Sequence, residues 1–186
     1  WGAGDPGRTH PRAGPAPRGS GPTAAPHRRP PRSPHQDPTP AMAHDRNDDA
    51  AIRDILLGTR RIAVVGASDR PDRPSFGVSR FLIDRGYAVT PVNPSLAGRD
   101  LHGAAAVAQL EEAGPDLDMV DVFRRSQEAG AVVDEAIRLG ARTVWLQLGV
   151  IDDAAGERAR AAGLRFVQDR CPVIEWRRLG LPPRLG

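Results

Sequence analysis

Lysine is missing from all 186 residues, so each of the 26 Lys-or-Arg positions is arginine. That excludes Schiff-base chemistry and the lysine a P-loop needs for its phosphates; the bias itself looks like genome composition rather than function. Cysteine occurs once, as Cys171, so no disulfide can close within the chain and nothing suggests export. No apolar run reaches the ~18 residues of a membrane helix, so no membrane span is predicted and a cytoplasmic location is the expectation. Only His44 and His102 lie beyond the first 41 residues, out of five histidines.

What is present is unevenly spread. Residues 1–41 carry six arginines against two acids, and the remainder carries twenty against twenty-one. The net charge of +3 therefore belongs to the N-terminal stretch and gives no ground for a nucleic-acid-binding domain. That stretch is dominated by Pro, Gly, Ala and Arg and has too little apolar surface to offset its ordering entropy. Residues 1–47 are accordingly expected to be a disordered Pro/Arg-rich tail. Because the chain starts at Trp1 and an ordinary polar lead-in follows Met42, the expected true start is Met42, with residues 1–41 upstream of it. A basic arm for RNA or a membrane is the lesser alternative.

The rest is organised around Arg61-Ile62-Ala63-Val64-Val65-Gly66-Ala67-Ser68. Ile62 to Val65 is a short apolar run without polar alternation, the pattern of a strand buried on both faces. It stops on Gly66. A loop with two prolines and four charges (69–74) follows, then a helix over 76–85 with Ser75 as N-cap, a buried face of Val78, Phe81 and Leu82, and Gly86 as stop. Strand, glycine turn and helix make the first half of a nucleotide-binding βαβ unit, in which backbone approaches a ligand and the helix start offers N–H groups to phosphate.

The same logic predicts a helix at 49–57, strands at 87–92, 117–123, 143–148 and 164–167, and helices at 126–139 and 152–162. A turn or very short strand is expected at 101–103, a small helix at 104–112, and from Cys171 onward a short chain that ends in a loose C-terminus, residues 179–186. Alternating strands and helices imply right-handed crossovers and a parallel sheet. The fold class is α/β, a three-layer Rossmann-like domain with a parallel five-stranded sheet over residues 48–178. Ligands of such sheets bind beyond the carboxyl ends of the strands. Those ends are Gly66-Ala67-Ser68, Asn93-Pro94, Phe123-Arg124, Gln147 to Gly149, and Asp169-Arg170-Cys171.

The dinucleotide fingerprint G-x-G-x-x-G is absent, since the glycine after Gly66 is Gly77, and Asn93 stands where NAD sites carry an acid. NADP is less firmly excluded, because Arg99 could reach a 2′-phosphate. A phosphorylated adenosine ligand of another kind remains. Ser68 is a phosphate candidate by its place after Gly66. Arg70 and Arg73 suit a phosphate as guanidinium forks, or are solvated loop charges. Arg124 faces the rim, with an ion pair to Glu128 as its rival role. Asp118 and Asp121, three apart on a strand, face opposite sides and read as structural. Gln147 either orders the rim or touches ligand; Trp145 reads as core.

Val64-Val65-Gly66-Ala67-Ser68, Pro91-Val92-Asn93-Pro94, Val120-Asp121-Val122-Phe123-Arg124, Val144-Trp145-Leu146-Gln147-Leu148-Gly149 and Asp169-Arg170-Cys171 together resemble the small stand-alone CoA-binding proteins of bacteria and archaea. These are relatives of the CoA-binding domain of the succinyl-CoA synthetase α-subunit. The resemblance implies coenzyme A as ligand. Gly66, Ala67 and Ser68 would approach its pyrophosphate, with Ser75 at the following helix start and Arg70 at a 3′-phosphate. Asn93 and Pro94 would lie beside the adenosine portion, and Val122, Phe123 and Arg124 would frame the ligand. The phosphorylated-histidine domain of the synthetase has no counterpart here, so a non-catalytic binder of CoA or acyl-CoA, a sensor or carrier, is expected rather than an enzyme. The alternatives are an NADP-dependent oxidoreductase domain and a regulatory subunit of an acyl-CoA ligase or acyltransferase. A small-molecule ligand is the expected partner, with a homodimer as a further option and neither nucleic acid nor membrane. Cys171 is an inert half-buried thiol or, if Arg170 lowers its pKa, a partner for the CoA thiol in a mixed disulfide.

Overall fold

The computed structural model of the chain describes residues 47–182 and Gly14. The chain divides into two units, Trp1–Asp37 and Pro38–Gly186, and the account that follows concerns the second. The expectations for the tail, for a start at Met42 and for residues 183–186 lie outside the described residues.

In chain order the elements are α1 (Asp49–Gly58), β1 (Arg61–Val65), α2 (Pro74–Asp84), β2 (Ala88–Val92), β3 (Asp100–Leu101), β4 (Ala104–Ala105), β5 (Met119–Val122), α3 (Ser126–Arg138), β6 (Thr143–Leu146), α4 (Asp153–Ala161), β7 (Arg165–Val167) and α5 (Pro172–Arg178). Five strands form one sheet in the order β2-β1-β5-β6-β7, all pairs parallel. The domain is the expected Rossmann-like α/β layout. Side chains alternate between two apolar layers, as the strand pleat requires. Ile62, Val64, Met119, Trp145 and Val167 pack under α1, α2 and α5. Ala63, Val65, Val120, Val122, Val144 and Phe166 pack under α3 and α4. Every residue of β5 and β6 is buried, which is why these strands read as mainly apolar runs, broken only by Asp121 and Thr143.

Asp118 fixes the sheet's amino edge. Its Oδ2 accepts the backbone N–H groups of Arg60 at 2.9 Å and Arg61 at 3.0 Å, joining the start of β1 to the approach of β5.

Three expectations are corrected. Residues 104–112 are not a helix. His102 and Gly103, both at positive φ, turn the chain between β3 and β4. Val107 then lies against the edge of β2, its N–H on the Pro91 carbonyl and its carbonyl accepting from Asn93. Pairing with an open sheet edge overrides the helix propensity of four alanines, and a short 3-10 turn at Leu110–Ala113 is all the helical character that remains. Ser75 is not the N-cap of α2. The helix starts at Pro74 with Arg73 in the cap position and no side-chain cap, because proline's fixed φ suits the first helical residue. Ser75 is buried in the first turn.

The chain is not yet loose at residue 179. Pro172 opens α5, and Trp176 packs edge-on against Phe81 and Tyr87 with ring centroids 6.4 and 6.0 Å away. Arg178 reaches both Asp49 and Glu175, and Leu181 is buried, so the chain is held through that residue. A seven-residue helix behind a proline is too short to show its period in the sequence. Trp176→Ala is expected to cost about 3–5 kcal/mol, the range for truncating a buried large aromatic. Urea melts of the two proteins check this, and a loss below about 1 kcal/mol would mean that α5 is not part of the core.

Candidate functional site

A cavity of about 600 Å³ opens at the carboxyl ends of the strands, within the usual range for a small-molecule site. Of the residues singled out in the sequence, Gly66, Ala67, Ser68, Ser75, Asn93, Phe123 and Arg124 line it. Arg70, Pro94 and Val122 do not. Arg70 lies in the loop with Nε and Nη2 on the Asp72 carboxylate at 3.2 and 3.0 Å. Pro94 opens a 3-10 turn beside the cavity. Val122 points into the layer under α3. Arg73, Val78, Leu148 and Val150 complete the walls with Gln147 and Cys171. Of these, Val78, Leu148 and Val150 carry no chemical signal in the sequence; only the fold brings them together.

Gly66 sets the geometry of the floor. It sits at φ +86, and a Cβ there would lie 2.3 Å from the Phe123 carbonyl oxygen. No other residue type fits without moving β5. Its N–H donates to the Val92 carbonyl at 3.0 Å. Asn93 then locks the neighbouring turn, its Nδ2 donating to the Ala67 carbonyl at 2.7 Å and its Oδ1 accepting from the Ser95 N–H at 3.0 Å. Asn93 thus shapes the wall beside the glycine turn.

Arg73 and Arg124 give the cavity its charge. Neither makes an ion pair among the described residues, so the rival pairing of Arg124 with Glu128 does not form, and no Asp or Glu lines the cavity. At the start of α2 the N–H of Ser75 has no carbonyl four residues back within the helix. Two free guanidiniums, a helix N-terminus and close backbone make a surface for an anion with several oxygens. Arg99, the residue an NADP phosphate would need, is instead bound to Asp69 at 2.8 Å.

The inner end differs. Asp121 is wholly buried; its Oδ1 accepts from Gln147 Nε2 at 2.7 Å, and its Oδ2 has no partner. Burial pushes this carboxyl up to about 7, opposed mainly by the Gln147 hydrogen bond. Cys171 lines the cavity nearby. Burial pushes its thiol up as well, with the Asp121 charge acting in the same direction. The alternative in which Arg170 lowers the thiol's pKa is not met, because its guanidinium is spent on Glu175 at 3.1 Å and the Asn47 carbonyl at 3.2 Å. Among the described residues no cluster of acids, histidines or cysteine could hold a metal ion, and no helix is long and apolar enough to cross a membrane.

Sheet order, glycine turn and edge cavity together define a Rossmann-like α/β domain with a small-molecule site. Sequence comparison narrows the class: the chain belongs to the CoA binding domain family, whose model matches residues 60–177. Uncharacterized protein YneT of Bacillus subtilis is 39% identical over 122 residues, which are 66% of this chain and 89% of that one. A solved structure from Thermus thermophilus is 37% identical, with a TM-score of 0.68 over 72% of this chain and 99% of that chain. A hypothetical protein from Pyrococcus horikoshii OT3 is 34% identical, with a TM-score of 0.68 over 73% and 94%.

Asp121 makes stability depend on pH. The folded protein keeps this proton up to about 7, whereas the unfolded chain releases it near 3.8. Between those values the folded state binds the extra proton, so this group's contribution to stability falls as pH rises through the window and levels off above it. Asp121→Asn keeps an acceptor for Gln147 and removes the titration. Its stability relative to the native protein is expected to improve by a few kcal/mol from about pH 4 to about pH 8. Urea melts at stepped pH measure the difference, and a constant gap between the two proteins would show that Asp121 titrates normally.

Proposed function

We propose that this protein binds coenzyme A, free or acylated, without transforming it, as a sensor or carrier. The observation that carries this is the cavity's charge: Arg73 and Arg124 face it unpaired and no acid lines it. Family membership favours coenzyme A as the anion. The residues present fit the group. Guanidiniums, hydroxyls and backbone N–H groups are phosphate donors, and the glycine turn admits a pyrophosphate close to the main chain. The ionisable groups support a binding role. The single thiol is kept protonated by burial.

Melting in the presence of CoA, acetyl-CoA, NAD, NADP or ATP tests the proposal. A ligand at a hundred times its dissociation constant stabilises the fold by about 2.7 kcal/mol. The expected outcome is a shift with CoA and acetyl-CoA alone; a shift confined to NADP would replace the proposal with an oxidoreductase domain. Arg73→Ala and Arg124→Ala should each weaken CoA binding about 10- to 100-fold, the worth of one charge-assisted hydrogen bond, and leave the unliganded melting point nearly unchanged. Titration calorimetry of the two variants reads this directly, and affinities equal to the native protein's would remove the arginines from the site.

A further inference from the structure

Gln147 is a polar side chain sunk into an otherwise apolar stretch of the cavity wall. It is 6% exposed and lines the cavity with Val78, Phe123, Leu148 and Val150. Its amide is held from behind, where Nε2 donates to Asp121 Oδ1 at 2.7 Å. Asp121 pairs with Trp145 in the β5–β6 register, and Gln147, two residues past Trp145, continues the same face of the sheet. A carboxylate has no proton to donate, so the NH2 group faces it and Oε1 is the atom left over. Oε1 accepts no hydrogen bond among the described residues. The sealed, unpartnered side-chain atoms there are Ser79 Oγ, Asp121 Oδ2 and Trp176 Nε1, so Oε1 is open to the cavity. An acceptor that loses water without gaining a donor costs more than a bond at that place would contribute. Whatever fills this stretch must therefore offer Oε1 an N–H or O–H, whereas a phosphate oxygen would meet it lone pair to lone pair. Anionic groups belong with the guanidiniums of Arg73 and Arg124 instead.

We propose that Gln147 is a specificity-determining residue whose Oε1, aimed by Asp121, accepts a hydrogen bond from an N–H of a neutral, amide-bearing part of the ligand. The identity of that part rests on the coenzyme A assignment above. In CoA it is the pantetheine arm, which follows the phosphates, is uncharged and carries secondary amides between apolar carbons. An arm of that kind matches a wall that is apolar except for one acceptor. Asp121 is a positioning residue. It does not line the cavity, and its oxygen fixes which end of the amide does. Stability alone does not account for the pair, since two apolar residues of the same shape would leave no buried oxygen without a partner.

Titration calorimetry at about pH 8, where the Asp121 carboxyl is ionised, tests the proposal with two probes. One is CoA; the other is 3′-phosphoadenosine 5′-diphosphate, the same nucleotide without the arm. Gln147→Met keeps the length of the side chain and removes the acceptor. The double variant Asp121→Val/Gln147→Met removes the buried carboxylate as well, so that no polar partner is stranded. Each is expected to bind CoA about tenfold more weakly than the native protein and to bind the nucleotide equally well, which also shows that the variants fold. Asp121→Val alone should weaken CoA binding several-fold by freeing the amide to turn, yet add nothing once residue 147 is methionine. Native CoA affinity in both Gln147 variants would overturn the proposal, as would equal losses with the two probes. Additive losses in the double variant would refute Asp121 as the positioning residue. A native protein that binds neither probe would overturn the CoA assignment and this inference together.

Discussion

The structure depends on the meeting of three strand ends at Gly66. Its N–H is bound to the Val92 carbonyl, and the Phe123 N–H to the Val65 carbonyl at 2.8 Å. The Phe123 oxygen occupies the space a side chain at residue 66 would need. β1 lies between β2 and β5, so the chain leaving it has a strand on either side and can escape only by turning at once through positive φ. Ala67 and Ser68 are thereby laid over the sheet edge, and the loop returns the start of α2 to the same place. The cavity is therefore a consequence of the strand order rather than an addition to it.

Charge placement follows from the same edge. Many arginines outside the cavity are tied down: Arg158 to Asp134, Arg138 to Glu111 and Glu135, Arg99 to Asp69, Arg170 and Arg178 to Glu175. Most of these pairs are exposed and contribute little to stability. Their larger effect is on the field, because a paired guanidinium is no longer available to an incoming anion. The two arginines that line the cavity, Arg73 and Arg124, carry no such pair among the described residues. They approach it from different elements, the cap of α2 and the end of β5, so their positive charge is spread over two sides of the opening.

Much of this was legible in the sequence. The buried strands are short β-branched runs bounded by glycine and proline, and the rule that ligands sit at carboxyl ends located the rim. What failed did so where tertiary contacts outweigh local pattern. Ala104 to Glu112 has the composition of a helix, yet an unpaired edge of β2 was waiting for Val107. The choice between Arg70 and Arg73 turned on how one loop folds. Its turn, closed by the Arg73 N–H on the Arg70 carbonyl at 3.0 Å, leaves Arg70 beside Asp72 and Arg73 at the cavity. Arg170 stands next to Cys171 in the sequence but spends its charge on Glu175 one helical turn later, which spacing alone did not reveal.

The cavity wall at Cys171 is fastened by the core: Trp145 Nε1 donates to the Arg170 carbonyl at 2.7 Å, and α5 is pinned one turn later by Trp176 against Phe81 and Tyr87. Two buried indoles thus hold this stretch of wall as firmly as the Gly66 turn holds the floor. The shape of the cavity is therefore set by the sheet and its packing layer rather than by the exposed loop between β1 and α2.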